Sequence, residues 1–131
     1  MRRAFDLHTL ASGQTSWAAA DVLPWRAWLE RVFREAFRVL KPGGRIAVSD
    51  IVALATIPDE LRKDWELYTG CVTGASLVDD LKAMLKQAGF ADIRIVRKGE
   101  SREIISGWFP GRKAADHVES ASIEAVKPAT R

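Results

Sequence analysis

Apolar residues at Trp25, Trp28, Leu29, Val32, Phe33, Ala36, Phe37 and Leu40 repeat at i, i+3, i+4 and i+7. That spacing predicts an amphipathic helix from Pro24 to Leu40. Pro24 falls near the first turn, where a missing N–H costs little. The helix should stop at Lys41-Pro42-Gly43-Gly44: Pro42 cannot continue it, and the glycine pair can take the left-handed turn that ends it. The pattern then changes. Arg45-Ile46-Ala47-Val48-Ser49-Asp50 is nearly continuously apolar in its middle, which predicts a strand over 45–50 covered on both faces.

Further along, Pro58-Asp59-Glu60-Leu61 predicts a helix reaching Tyr68 or Thr69, with two acids in its first turn. Gly70 to Ser76 is a glycine-punctuated turn. Ser76 and Asp79 have the spacing of a capping box, opening a helix that turns Val78, Leu81, Met84, Leu85 and Ala88 inward and ends at Gly89. Residues 92–97 read as a strand with Ile93 and Ile95 on one face. A short helix over Ser101–Trp108 precedes Pro110-Gly111. A last strand over 120–127 places Ala121, Ile123 and Ala125 together. Residues 1–23 show no clear period, although Trp17–Leu23 could form a short helix or strand. The elements describe an α/β fold with about three strands (45–50, 92–97, 120–127) and flanking helices. It divides into a divergent segment 1–23 and one domain over 24–128.

Composition narrows the setting. A chain of 131 residues with 47% apolar content has enough material for one core. No apolar run reaches the roughly 18–20 residues of a membrane span, and no apolar segment follows the basic N-terminus as a signal peptide would require. One cysteine excludes an internal disulfide, and a cytoplasmic location is expected. The net charge of +3 comes from basic residues interspersed with acidic ones, so a nucleic-acid partner is not expected.

Few residues could carry chemistry. Cys71, in a turn between Gly70 and Gly74, is either a small buried hydrophobe or a thiol presented to a cavity. Asp50 ends a strand, at the edge where α/β sheets build sites, or else serves as a loop or cap acid. Glu100 and Ser101 suit a helix start. His8 and His117 lack metal-type spacing, and Trp25 and Trp28 suit a core or an interface.

The run Arg38-Val39-Leu40-Lys41-Pro42-Gly43-Gly44-Arg45-Ile46-Ala47-Val48-Ser49-Asp50 resembles the late helix-to-strand joint of class I S-adenosylmethionine-dependent methyltransferases. A narrower likeness lies in Pro58–Asp64 and in Glu66-Leu67-Tyr68-Thr69-Gly70-Cys71-Val72-Thr73-Gly74-Ala75. It continues through Leu81–Asp92, Glu100-Ser101-Arg102-Glu103, Trp108, Pro110-Gly111 and Ser120–Pro128. These segments are similar to the C-terminal half of bacterial arsenite S-adenosylmethionine methyltransferases, over about 100 of the 131 residues. The resemblance implies a partial Rossmann-like sheet, with strand 120–127 antiparallel between 45–50 and 92–97. It makes Cys71 a thiolate ligand to As(III), with Glu100, Ser101 and Arg102 on the substrate side and Asp50 near the cofactor. It implies S-adenosylmethionine as cofactor.

The chain also departs from that pattern. As(III) prefers several thiolates, and this sequence holds one. Relatives with a cysteine in the last strand region correspond here to Ser120-Ala121-Ser122. The cofactor of such enzymes lies on a glycine-rich turn, yet Gly-x-Gly occurs nowhere in the sequence. The expectation is therefore a truncated arsenite methyltransferase-like protein without methyl transfer alone. Two alternatives are an active subunit completed in trans or by dimerisation, and a dimeric ligand- or metalloid-binding module using the Cys71 region. Without the strands that would flank it, the 45–50 edge is expected to be covered by residues 1–23, by another partner, or by a second copy in a homodimer.

Overall fold

A computed structural model describes residues 25–63, 71–111 and 113–129. Helix α1 spans Trp25–Val39 and buries Phe33, with Leu29, Ala36, Phe37 and Leu40 against the same core. Its last carbonyls are not left to water: Lys127 Nζ donates to the oxygens of Phe37 (2.7 Å) and Leu40 (2.8 Å) and lies 4.7 Å from the Phe37 ring centre. Gly43 takes φ 76° and turns the chain into β1, Arg45–Ala53. Helix α2 covers Asp59–Arg62 after Pro58, and the remainder of the helix expected to Tyr68 lies outside the described residues. Then come β2 (Ser76–Leu77), α3 (Val78–Ala88), β3 (Ala91–Lys98), α4 (Ser101–Trp108), a 3₁₀ turn over Lys113–Asp116, and β4 (Val118–Val126).

The sheet order is β2-β1-β4-β3, so the last strand inserts between the first and third. β4 is antiparallel to both, in an unbroken register with β1 from Arg45↔Val126 to Ala53↔Val118. β1 and β3 thus run parallel, as the family resemblance implied. Alternation along β4 sends Ala121, Ile123 and Ala125 into the core beside Val52, Leu81, Met84, Leu85 and Phe90. A second cluster, Ala53, Ile57, Val72, Ile105, Ala114 and Val118, lies at the C-terminal end of β1.

Several expectations change. The strands expected over 45–50 and 92–97 are longer, the one expected over 120–127 runs from Val118 to Val126, and a fourth exists: in β1 the ladder carries on through the polar Ser49-Asp50 into the apolar Ile51-Val52-Ala53. Ser76 is not a cap: it pairs in parallel with Val52, Leu77 holds the N-cap position of α3, and no side chain caps that helix. β1 is not covered on both faces either. Ala47 to Asp50 are exposed, and burial begins only at Val52. Trp25 and Trp28 stack on one another, with centroids 5.0 Å apart, at the surface rather than in the core. The segment 1–23, His8 and Trp17 lie outside the described residues.

Candidate functional site

The candidate residues gather toward the C-terminal end of β1, on segments anchored in the second cluster. Val72, 1% exposed, fixes one segment, and Ile105, 1% exposed, fixes α4. Between them these two anchors position the Cys71 turn and the Glu100–Arg102 segment around one core. Cys71, next to the buried Val72, is itself exposed and takes φ 64°. Its reading as a buried hydrophobe is therefore overturned. A left-handed conformation costs an ordinary residue roughly 1–2 kcal/mol, and here the turn is closed by the Ala75 N–H donating to the Val72 carbonyl at 3.2 Å. Two residues on, Thr73–Leu77 line a cleft of about 390 Å³ with Arg26, Arg62 and Asp80 around its rim. Thr73 Oγ1 is buried and has no hydrogen-bond partner among the described residues.

Asp50 is not at a strand end. β1 continues to Ala53, so Asp50 sits mid-strand opposite Ala121, exposed, accepting a hydrogen bond from the Ile51 N–H at 2.7 Å. It lines neither this cleft nor the second one.

Glu100 and Ser101 border a second, more apolar groove of about 280 Å³ with Lys98, Ile104, Trp108 and Ser120, and Arg102 does not line it. The linings of the two share no residue and Cys71 is in neither, so Cys71 and the Glu100–Arg102 segment do not form one pocket. Glu100 occupies the N-cap position of α4 but makes no capping hydrogen bond. Ser101 is nearly buried and does structural work: its Oγ donates to the Lys98 carbonyl at 2.6 Å and accepts from the Ser120 N–H at 2.9 Å. This ties β3, α4 and β4 together. Ser101→Ala should destabilise the fold by about 1–3 kcal/mol by leaving buried backbone groups unpaired, measurable by urea denaturation. A purely substrate-contacting serine would leave the midpoint unchanged.

Arg102 belongs to a network that sequence reasoning missed. Glu119, 3% exposed, accepts from Arg97 Nε at 2.8 Å through one oxygen and from Arg102 Nε at 2.8 Å through the other. The hydrogen bonds from Arg97, with the charge of both guanidiniums, hold the Glu119 carboxyl below its ordinary value although burial opposes this. The signal was available: Glu119 shares the inward parity of Ala121, Ile123 and Ala125, and an inward acid needs a partner.

The described residues do not fit the cofactor that the fold implies. Gly43 and Gly44 close a helix-to-strand joint, where the Gly43 N–H donates to the Lys127 carbonyl at 2.9 Å and a Cβ on Gly44 would meet the Lys41 carbonyl at 2.8 Å. Gly99 is the one described glycine between a strand and a following helix, and a Cβ there would meet nothing within 4 Å. No close backbone cradle is formed by either.

A family model described as "Methyltransferase domain" matches residues 5–89. The arsenite methyltransferase of Halobacterium salinarum is 53% identical over 100 residues, covering 76% of this chain and 26% of that protein. The human arsenite methyltransferase is 34% identical over 67 residues, covering 51% of this chain and 18% of its own length. Among solved structures, an arsenic (III) S-adenosylmethionine methyltransferase from Chlamydomonas reinhardtii superposes with a TM-score of 0.51 at 24% identity, covering 77% of this chain and 33% of that one. Phosphoethanolamine N-methyltransferase 2 of Haemonchus contortus, in complex with S-adenosyl-L-methionine, gives 0.55 at 18% identity, with 76% and 30% covered. The chain thus spans about a quarter of the length of the Halobacterium protein, and the structural matches establish the shared fold.

Proposed function

The chain belongs to the methyltransferase domain family, and from that premise we propose that it carries the arsenical-binding part of an arsenite methyltransferase. In this reading Cys71 supplies a thiolate to As(III), and the 131 residues do not transfer a methyl group by themselves. The supporting observation is the exposed Cys71 thiol, held on a strained turn beside a cleft at the C-terminal end of β1. The 53% identity to the Halobacterium arsenite methyltransferase supports the choice of ligand.

Chemically, As(III) is soft and thiophilic, so an accessible thiolate is the side chain suited to it. One thiolate leaves coordination positions open, and small free thiols such as glutathione would fill them. Arg102 is engaged with Glu119 and Ser101 with the backbone, so neither is assigned a role on the ligand. The poor fit of the described glycines to S-adenosylmethionine supports the second half of the reading.

Calorimetric titration of the full chain with arsenite, in the presence of glutathione, tests the first half. Binding should be seen with the natural chain and lost in Cys71→Ser; binding retained by the variant removes Cys71 from the reading. A parallel titration with S-adenosylmethionine should give no heat, and micromolar affinity there would overturn the second half.

A further inference from the structure

Arsenic held by one protein thiolate needs free thiols to complete its coordination. We propose that the cleft beside Cys71 selects a thiol that carries a carboxylate, with Arg62 as the residue that receives it. The inference rests on the arsenite reading of Cys71 and names the class of its co-ligand. Each As–S bond forms as a thiol proton leaves with an arsenite hydroxyl as water, so arsenic keeps its oxidation state and no redox partner is required.

Placement makes the contact possible. Cys71 lies outside the cleft, whose lining begins two residues on at Thr73 and continues through Leu77. Two residues of chain reach at most about 7 Å, so a thiol joined to arsenic at Cys71 stands close to the cleft. In glutathione a single glycine separates the cysteine from the terminal carboxylate, a similar reach. Small-molecule sites run from roughly 300 to 1,000 Å³. At about 390 Å³ this cleft has room for one such arm.

Charge makes the contact selective. The ionised side chains among the described lining residues are Arg26, Arg62 and Asp80. Arg26 Nη1 pairs with Asp80 at 3.1 Å, and its Nε pairs with Glu30 at 3.3 Å, so the Asp80 carboxylate is already answered. Arg62 supplies the net positive charge. Its Nε donates to the Ile57 carbonyl at 3.1 Å, which steadies the guanidinium, and the Nη pair of such a group can take a carboxylate bidentately. Thr73, in the same lining, adds the buried Oγ1 that has no partner among the described residues, and a carboxylate would accept its proton. Ala53, Ile57 and Met84, all buried, supply apolar wall, so an ion contact here is made in less water than on an open face. A neutral thiol finds no counterpart to Arg62, and an amine-bearing thiol is repelled by it.

Calorimetric titration of the full chain with arsenite, run once in glutathione and once in 2-mercaptoethanol, tests the inference. The two thiols differ in their own affinity for arsenic, so the quantity read is the ratio of the two affinities, natural chain against Arg62→Gln. In the variant that ratio should fall about tenfold, the effect of one charged contact at a half-open site. Arg62→Lys should recover part of it. An unchanged ratio, equal losses in both thiols included, would overturn the inference while leaving the arsenite reading intact. A second measurement does without arsenic. S-methylglutathione, which keeps the carboxylates but has no free thiol, should at millimolar concentration shift the amide resonances of residues 73–77 in the natural chain and not in Arg62→Gln. Such shifts in a chain that binds no arsenite would sink the arsenite reading and the co-ligand role with it. Their absence would overturn the carboxylate site itself.

Discussion

Gly89→Ala should unfold about 2–4 kcal/mol more easily than the natural chain, a large share of the 5–15 kcal/mol that holds a typical domain together. Two separate penalties combine. Gly89 ends α3 at φ 104°, and a side chain in left-handed backbone costs roughly 1–2 kcal/mol. The new Cβ would also stand 2.9 Å from Phe37 Cζ and 3.0 Å from Cε2, an overpacking worth about 1–3 kcal/mol. The ring cannot swing aside freely. It meets Phe90 edge-on at 5.2 Å, and Lys127 covers it while bonding the last carbonyls of α1. Gly43→Ala is the control. Gly43 also has positive φ, but a Cβ there meets nothing within 4 Å, so only the conformational penalty should appear. Thermal and urea midpoints of the two variants, measured side by side, separate the terms. Equal losses would mean that Phe37 relaxes at no cost.

Glu119→Gln should cost about 1–3 kcal/mol at neutral pH, from the loss of charged hydrogen bonds in a buried position. The figure stays modest because Arg97 and Arg102 are half exposed and can turn to water. The pH dependence is the sharper signature. The folded-state pKa of Glu119 lies below its ordinary value of 4.5, so the protein binds this proton less readily folded than unfolded. Its stabilisation is complete above the ordinary value and is lost as the pH falls through the lowered one. In acid the natural side chain becomes a neutral near-isostere of glutamine. The stability gap between natural chain and variant should therefore close as the pH is lowered from 7 to below 4.5. A gap that persisted unchanged into acid would assign the loss to packing instead of charge.

Much of this architecture was legible because two periods dominate the sequence. Phe33 and Phe37 sit on a 3.6-residue stripe, and Ala121, Ile123 and Ala125 alternate, each set marking a face that only one neighbour could cover. The Gly89 stop could be read from its position after Ala88. The two-residue β2 had no comparable signal. Its pairing is backbone to backbone and leaves no pattern in side chains, so Ser76 looked like a cap. The exposed Cys71 was equally hidden, because isolation between glycines does not say which way a thiol points. Asp50 was misplaced for a related reason: apolarity weakened at Ser49 while the ladder continued to Ala53. The site inherits these errors, since what brings Ser101, Arg102 and Glu119 together is contact across distant strands.

The position of β4 bears on how the chain is made. The latest of the four described strands lies inside the sheet, and its neighbours β1 and β3 touch it rather than each other. A nascent chain that has emerged only as far as His117 therefore holds two strands with nothing between them, and α1 still lacks the lysine that closes its C-terminus. Pairing across such sequence separations is slow to begin. These four strands are thus joined only after Val126 has emerged from the ribosome, and until then the apolar faces of α1 and α3 depend on whatever shelters them in the cell.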